Sequence, residues 1–140
     1  MEVLYFTFPL IFFGRPLSLA RMGATDFKDF PWIDPWVPVS QRGREAYEHE
    51  LQMEVGIDHP LYGVKIRAVG RTCHTDDVLY QLKNHRIAEL AVVHLTFRGR
   101  PESDPQWPSV ILYRDLEHWV TQRMLRDAAA FEIDQSNQAA

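Results

Sequence analysis

Residues 91–108 read AVVHLTFRGRPESDPQWP, an apolar run that gives way to a charged, proline-containing loop ending at a tryptophan and a proline. Within 91–97 only His94 and Thr96 are polar. A strand without a polar face belongs in the interior of a sheet, where both of its faces are covered. This stretch therefore predicts a core strand, followed by a loop at 98–108 that borders a candidate site.

The residues on either side of this strand predict further strands and two helices. Apolar residues alternate with other residues over 64–71 and 77–82, and a short apolar run follows at 110–113, as is typical of strands. Ser40 is a candidate N-cap of one helix, and Asp115 is a candidate N-cap of another. This order predicts a single α+β domain, built as one layer pair. In it, an antiparallel sheet of three to four strands is flanked by an N-terminal and a C-terminal helix.

Length and composition fit one globular domain. The chain has 140 residues, of which 46% are hydrophobic and 24% are charged, close to the usage of average soluble proteins. Its net charge is −4 and the charges are interspersed, so no nucleic-acid partner is expected. The single cysteine, Cys73, excludes an intramolecular disulfide and favours a cytoplasmic location.

The two ends of the chain differ from the middle. We predict an apolar extension at 1–22, a single α+β domain at 23–131 and a disordered tail at 132–140. The apolar run at 3–13 is too short to span a bilayer as a helix, so no stable membrane insertion is expected. Three interpretations of the extension are open. It is a dispensable piece that precedes a true start at Met22, or it is a secretory signal, or it is a core strand. The absence of Lys and Arg before the apolar run disfavours the signal.

The segment DFKDFPWIDPWVP at 26–38 combines aromatic residues with prolines. Proline lacks an amide hydrogen and biases the preceding residue towards extended geometry, so this segment is predicted to wrap a surface without forming a regular element. Its aromatic side chains either form an exposed patch for a partner or fasten the segment to the core.

The sequence contains no motif with the spacing of a metal or phosphate site. The six histidines and the single cysteine form no zinc motif, and the glycines are isolated, so neither a metal nor a cofactor is predicted. Cys73 and His74 are adjacent in a turn, an arrangement in which the two side chains rarely point at each other. His94 is the stronger candidate for acid–base chemistry, because a titratable group in a covered sheet needs a partner. The sequence nevertheless favours a core histidine, whose hydrogen bond is satisfied by a backbone group or a carboxylate.

Two surfaces are candidates for binding. Glu48 and Glu50 lie on the side of the first helix that is predicted to be acidic and exposed, where they would attract a basic partner. In the 98–108 loop, Arg98 and Arg100 either clamp a phosphate or carboxylate or are solvated and neutralised by nearby acidic residues. Trp107 either closes over a ligand or packs back on the sheet.

Four short motifs occur in order along the middle of the chain. They are HPLYG (59–63), DDVL (76–79), AVVHLTF (91–97) and QWP (106–108). Together they resemble a family of small, functionally uncharacterised bacterial proteins, over about residues 55–125. The residue after HLT in that family is usually Trp, whereas this chain has Phe97. The resemblance implies a bacterial cytosolic domain and assigns no catalytic residue.

These observations leave two hypotheses for function. The first is a protein-binding module without catalytic activity, similar to an immunity protein that neutralises a toxin, which binds its partner through the acidic helix and the 98–108 loop. The second is an enzyme or small-ligand-binding protein with a pocket near His94, Arg98 and Arg100, to which Asp77 also contributes. The lack of catalytic motifs favours the first hypothesis.

Overall fold

The computed structural model describes residues 27–139, so the predictions for 1–22 lie outside the described residues. One antiparallel sheet contains five strands in the order β1-β2-β3-β4-β5. The elements of its first half are β1 (Trp36–Pro38), α1 (Gln41–Glu54), β2 (Lys65–Thr72) and β3 (Asp77–Lys83). They are followed by β4 (Leu90–His94), β5 (Ser109–Tyr113) and a C-terminal helix, α2. The α+β class and the antiparallel sheet are confirmed, with one strand more than predicted.

The two helices cover opposite faces of the sheet. Leu51 of α1 belongs to a core cluster that contains Ala91 and Val93 of β4. Val92 of the same strand belongs to a second cluster, which contains Trp119 of α2. The domain therefore has three layers instead of the predicted single layer pair. This arrangement explains the apolar sequence of β4, because alternate side chains of the strand enter different cores.

Helix α2 runs further than the sequence predicts. It consists of Leu116–Trp119, a π-helical turn at Val120–Met124 and Leu125–Ala139. Asp115 is its N-cap and accepts a hydrogen bond from the backbone of His118, as predicted. Residues 132–139, which the sequence predicts to be part of a disordered tail, form the exposed end of this helix. Among residues 27–139, no helix is long and apolar enough to cross a membrane.

The aromatic segment before α1 is fastened to the core, which is one of the two predicted alternatives. Phe30 and Trp36 are buried in the cluster of α2, and Trp32 packs against it. Gly70 of β2 makes room for this packing, since a Cβ atom there would overlap the ring of Trp32. The same segment forms β1, an edge strand that pairs with β2. The prolines of the segment predicted no regular element, but proline is tolerated in an edge strand.

Helix α1 begins at its predicted cap and faces the sheet with polar as well as apolar groups. Ser40 caps the helix and accepts a hydrogen bond from the backbone of Gly43. Strand β2 has a register shift between Ala68 and Gly70, which leaves backbone groups of Ala68 for other partners. Glu48 accepts the N–H of Ala68 at 2.9 Å and Arg44 donates to its carbonyl at 3.3 Å. The helix thereby satisfies backbone groups of the strand.

Strand β4 ends earlier than predicted, at His94. The backbone N–H groups of Thr96 and Phe97 bond to the side chain of Glu54 and do not continue the ladder with a neighbouring strand. His94 is consequently the terminal residue of the strand, and its side chain is 47% exposed. The prediction of a core histidine is wrong, because His94 lies at the exposed end of the strand.

Candidate functional site

The 98–108 loop and the two residues before it lie against the end of α1 and the turn that follows it. The N–H of Gly99 donates to Glu50 at 3.0 Å, and the N–H of Phe97 donates to Glu54 at 2.8 Å. A Cβ atom placed on Gly56 would be in ordinary contact with Pro101, at 3.6 Å. Carboxylates of α1 and the turn at residue 56 thus support the loop along its first half.

Glu54 is the centre of this support. It is completely buried, and its carboxyl oxygens accept three hydrogen bonds, from the N–H and the hydroxyl of Thr96 and from the N–H of Phe97. Burial raises the pKa of Glu54, and a hydrogen bond with the Glu50 side chain raises it further. The bonds from the backbone of Thr96 and Phe97 act in the opposite direction. The buried carboxyl therefore satisfies two consecutive peptide N–H groups.

Phe97 has a backbone conformation that side chains rarely adopt. Its φ is 57°, in the left-handed region, and Gly99 nearby has a φ of 67°. Glycine adopts this region readily, but a large side chain there is strained and persists only where its surroundings fix it. The ring of Phe97 is nevertheless 50% exposed and contributes little to the core. The hydrogen bonds to Glu54 therefore hold a strained residue whose side chain points towards solvent.

The second half of the loop is built around a tight turn. The N–H of Trp107 donates to the carbonyl of Asp104 at 3.0 Å, and the side chain of Asp104 accepts the N–H of Gln106 at 2.9 Å. Asp at the first position and Pro105 at the second are the residues that such turns favour. Trp107 is 46% exposed, so it neither packs fully on the sheet nor closes a pocket.

The loop ends at a buried hydrogen bond to the turn after α1. His59 is buried, and its Nδ1 atom accepts the N–H of Leu61 at 3.0 Å. The ring proton is therefore on Nε2, which donates to the carbonyl of Pro108 at 2.8 Å. Two of the four motifs, HPLYG and QWP, are thus in direct contact.

The acidic residues predicted as a docking surface have structural partners instead. Glu48 and Glu50 are half-buried and accept backbone hydrogen bonds from Ala68 and Gly99. The prediction that they lie on an exposed side is wrong, because their side of α1 faces the sheet and the loop. Glu54 falls three residues after buried Leu51, so the apolar spacing already placed it on this side.

The two arginines of the loop differ in their surroundings. Arg98 forms an ion pair with Glu102 at 3.4 Å, which confirms neutralisation by a nearby acid. Arg100 is exposed, and it forms no ion pair with another residue of the described range 27–139. Neither arginine lines the cavity that lies beside Asp77. None of His94, Arg98 and Arg100 lines this cavity, so their grouping around a pocket stays a prediction.

His94 is instead joined to Asp77, the first residue of β3, through the register of the sheet. The two residues are Cα partners across β3 and β4, and His94 Nδ1 lies 2.9 Å from Asp77 Oδ1. The other oxygen of Asp77 accepts hydrogen bonds from Thr75 at 2.9 Å and from Arg123 at 3.1 Å. Arg123 also bonds to Asp127 at 2.7 Å. This network links the sheet to α2.

A cavity of about 240 Å³ opens next to this network. Asp77, Arg123 and Asp127 line it, together with Asp134 and the rim residue Phe131. Its walls carry more carboxylates than cations, which favours a positively charged ligand. His94 does not line the cavity and is connected to it only through Asp77.

Cys73 and His74, the adjacent pair in the turn after β2, have separate surroundings. Cys73 is an exposed free thiol, and the ring of neighbouring His74 packs on Phe131 at 5.4 Å between centroids. Within the described part of the chain, no three or more His, Cys, Asp or Glu side chains are grouped so as to hold a metal ion.

Exposed apolar side chains occur on the segments that contact the loop. Met53, the residue before Glu54, is 42% exposed, and Ile57 is 77% exposed in the turn that supports Pro101. Together with Phe97 and Trp107 they place four large apolar side chains on neighbouring segments. Exposed apolar groups in one region of a protein commonly mark an interaction site.

Comparisons of the chain with models of protein families, with curated proteins and with solved structures found no match. The resemblance to a bacterial family in the four motifs therefore stays a prediction. The contacts between these motifs, such as His59 with Pro108 and Asp77 with His94, give them a structural role in this chain.

Proposed function

We propose that the chain is a small protein-binding module that docks on its partner through Phe97 and Trp107. The observation that carries this proposal is the left-handed, half-exposed Phe97, whose N–H is held by the buried carboxyl of Glu54. Strained residues held by their surroundings are concentrated at functional sites. Packing alone gives no reason for this one, since half of its ring lies in solvent.

The arrangement of the loop supports this proposal in energetic terms. Ordering a flexible loop on binding costs free energy, and a loop that is ordered beforehand avoids that cost. Here backbone bonds to Glu50 and Glu54, the turn at Asp104 and the bond from His59 to Pro108 fix the loop along its length. Aromatic side chains are the most effective anchors at protein interfaces.

The partner that fits this surface has an apolar groove for two aromatic rings and a polar rim. Arg100 and Asp104 are exposed at the edge of the surface and carry opposite charges. The proposed surface leaves out Glu48 and Glu50, because both are hydrogen-bonded within the chain. An immunity-like role and a cytoplasmic location, which the free thiol of Cys73 favours, belong to this proposal.

Native affinity capture with matched variants tests the proposal. Phe97→Gly removes the ring and keeps the left-handed backbone without strain, and Trp107→Ala removes the second anchor. Ile133→Ser is the control, since Ile133 is an exposed apolar residue of α2 outside the proposed surface. A partner should be retained by the wild type and by the control, and lost by each loop variant.

The partner is then purified, and its Kd is measured by calorimetry with each variant. We expect each aromatic truncation to weaken binding by at least about tenfold, as for residues at the centre of an interface. Equal affinity for wild type, Phe97→Gly and Trp107→Ala would contradict the proposed surface. The proposal would also be contradicted if no captured protein binds Ile133→Ser but fails to bind the two loop variants.

A small-ligand site at the cavity beside Asp77 is the second candidate. It is favoured by three aspartates in the wall, of which Asp77 also orients the exposed His94. Benzylamine, a cation with an apolar ring, is a suitable probe in an NMR titration. Shifts of Asp134 and Phe131 amides that disappear in Asp134→Asn would support the site, and an unperturbed spectrum would exclude it.

A further inference from the structure

A second cavity, of about 550 Å³, lies at the opposite end of the β2–β3 pair from Asp77. It is bordered by the start of β2 at Lys65 and by the end of β3 at Lys83. The turn after β3 adds His85 and Arg86 to its wall, and no acidic residue lines it. Four basic side chains without an acidic one in a single cavity wall are unexpected in a chain whose net charge is −4.

Two of the cations oppose each other across neighbouring strands. Lys65 and Lys83 are Cα partners in the antiparallel register, and both side chains are exposed. Like charges directly opposite each other on a sheet are destabilising. Neither lysine, nor Arg86, forms an ion pair with any residue of the described range 27–139. Glu89 lines an adjoining cavity and is not paired with them either.

His85 adds a hydrogen-bond donor whose direction is fixed by the backbone. Its Nδ1 atom accepts the N–H of Ala88 at 3.1 Å and lies 3.3 Å from the donor N–H of Ile87. The proton of the neutral ring is therefore on Nε2, so the side chain is a donor on its free edge. Asn84, which precedes it, has a φ of 62° and turns the chain so that His85 and Arg86 reach the cavity.

Apolar groups complete the rim. Ile87 is 72% exposed and Tyr62 is 54% exposed, and both line the cavity. The volume lies within the range of small-molecule sites. A ligand that fits these walls has an anionic group for the cations and an apolar or planar body for Tyr62 and Ile87.

We propose that this cavity binds a small phosphate monoester, with Lys65, Lys83 and Arg86 around the phosphate and Tyr62 beside the organic part. A phosphate monoester carries nearly two negative charges and three strong acceptor oxygens, which matches several cations and an imidazole donor better than a carboxylate does. The guanidinium of Arg86 is suited to bidentate contact, and the two lysines act as point charges. Bound phosphate would also screen the repulsion between the lysines.

Phenyl phosphate is the probe, because it combines the two parts of this ligand. We expect an NMR titration of the wild type to give a Kd of about 1 mM or tighter, with shifts at Lys65, Lys83 and His85 amides. Inorganic phosphate should bind more weakly, since it lacks the ring. The Lys65→Gln/Lys83→Gln variant and Arg86→Gln should each weaken binding by about tenfold or more.

The control is Arg126→Gln, which removes one exposed cation from α2, outside the cavity. It should bind phenyl phosphate like the wild type. The lysine variants should have an unchanged or higher Tm, since they remove a repulsion, so a loss of binding is not explained by unfolding. No binding to the wild type, or the same loss in Arg126→Gln as in the lysine variants, would overturn the proposal.

A short single-stranded oligonucleotide distinguishes a small ligand from a polymer with the same phosphate chemistry. We expect it to bind no more tightly than phenyl phosphate at equal ionic strength. Tighter binding of the oligonucleotide that is lost in Lys65→Gln/Lys83→Gln would overturn the assignment to a small molecule.

Discussion

The carboxyl of Glu54 accepts the backbone N–H of Phe97 at 2.8 Å, across 43 positions of sequence, and so joins the end of α1 to the residue at which the chain leaves the sheet. A second oxygen of the same carboxyl binds Thr96 through its N–H and its hydroxyl, both at 2.9 Å. One buried side chain therefore sets the direction in which the 98–108 loop departs. The exposure of Phe97 is a consequence of this contact.

Replacement of Glu54 should destabilise the domain strongly. Glu54→Ala leaves the N–H groups of Thr96 and Phe97 without their acceptor and opens a cavity, at a cost of about 3 kcal/mol in the free energy of unfolding. Glu54→Gln keeps one acceptor oxygen and should cost about 1 kcal/mol. Chemical denaturation measures both. Glu45→Ala, on the exposed side of the same helix, is the control and should change stability by less than about 0.5 kcal/mol. If Glu54→Ala lowered the free energy of unfolding by no more than Glu45→Ala does, the role of the Glu54 carboxyl would be contradicted.

The stability of the wild type relative to Glu54→Gln should depend on pH. The pKa of Glu54 is raised above its ordinary value of 4.5, first by burial and then by its hydrogen bond with Glu50, so folding favours the protonated carboxyl. This contribution is fully present below pH 4.5 and is lost as the pH rises through the higher pKa of the folded state. Glu50, Glu48 and Tyr80 are the neighbouring titratable groups that remain in both proteins. The free energy of unfolding of the wild type, relative to that of Glu54→Gln, should therefore fall as the pH rises. A difference that does not change with pH, or that increases with pH, would contradict this direction.

The contact between Gly70 and Trp32 predicts a severe effect of a single methyl group. Gly70→Ala places a Cβ atom in steric overlap with the edge of the Trp32 indole ring, so the arm that carries Trp32 must shift, at a cost of about 2 kcal/mol. Thermal or chemical unfolding measures this loss. Gly56→Ala is the matched control, because its Cβ would meet Pro101 at an ordinary distance of 3.6 Å. Equal stability of the two variants would show that the ring does not pack on β2 as described.

The opposed lysines predict a stabilising substitution. Lys65→Glu converts the like-charge pair with Lys83 into an attractive cross-strand pair and should raise the free energy of unfolding by about 0.5 kcal/mol. The same change should abolish binding of phenyl phosphate if the cavity binds anions. Denaturation at low salt measures the first effect, and a decrease in stability would contradict the cross-strand register.

Local signals in the sequence predicted most of the fold. The caps Ser40 and Asp115 and the strand near Val92 follow from side-chain chemistry and periodicity, which act over a few residues. Local signals do not predict strand β1, because it has only three residues, one of them a proline, and depends on its pairing with β2. Placement of the helices on opposite faces also depends on contacts between distant elements.

The candidate sites were harder to predict for the same reason. Sequence spacing identified Trp107 and the loop, but the inward orientation of Glu50 depends on where the loop lies. The apolar neighbours of His94 in the sequence indicate a core position, whereas its place at the end of β4 decides its exposure. The basic cavity is formed by Lys65 and Lys83, which are 18 positions apart and meet only through the register of β2 and β3.

The measurement that tests the central claim most directly is ¹⁵N relaxation of the free protein at the amides of Phe97, Gly99 and Trp107. If α1 and the turn at Asp104 hold the loop in one conformation, these amides should have order parameters of about 0.85, like those of the sheet. Values below about 0.6 at Phe97 and Trp107 would show a flexible loop and would contradict the claim that the chain presents two aromatic anchors in a fixed arrangement.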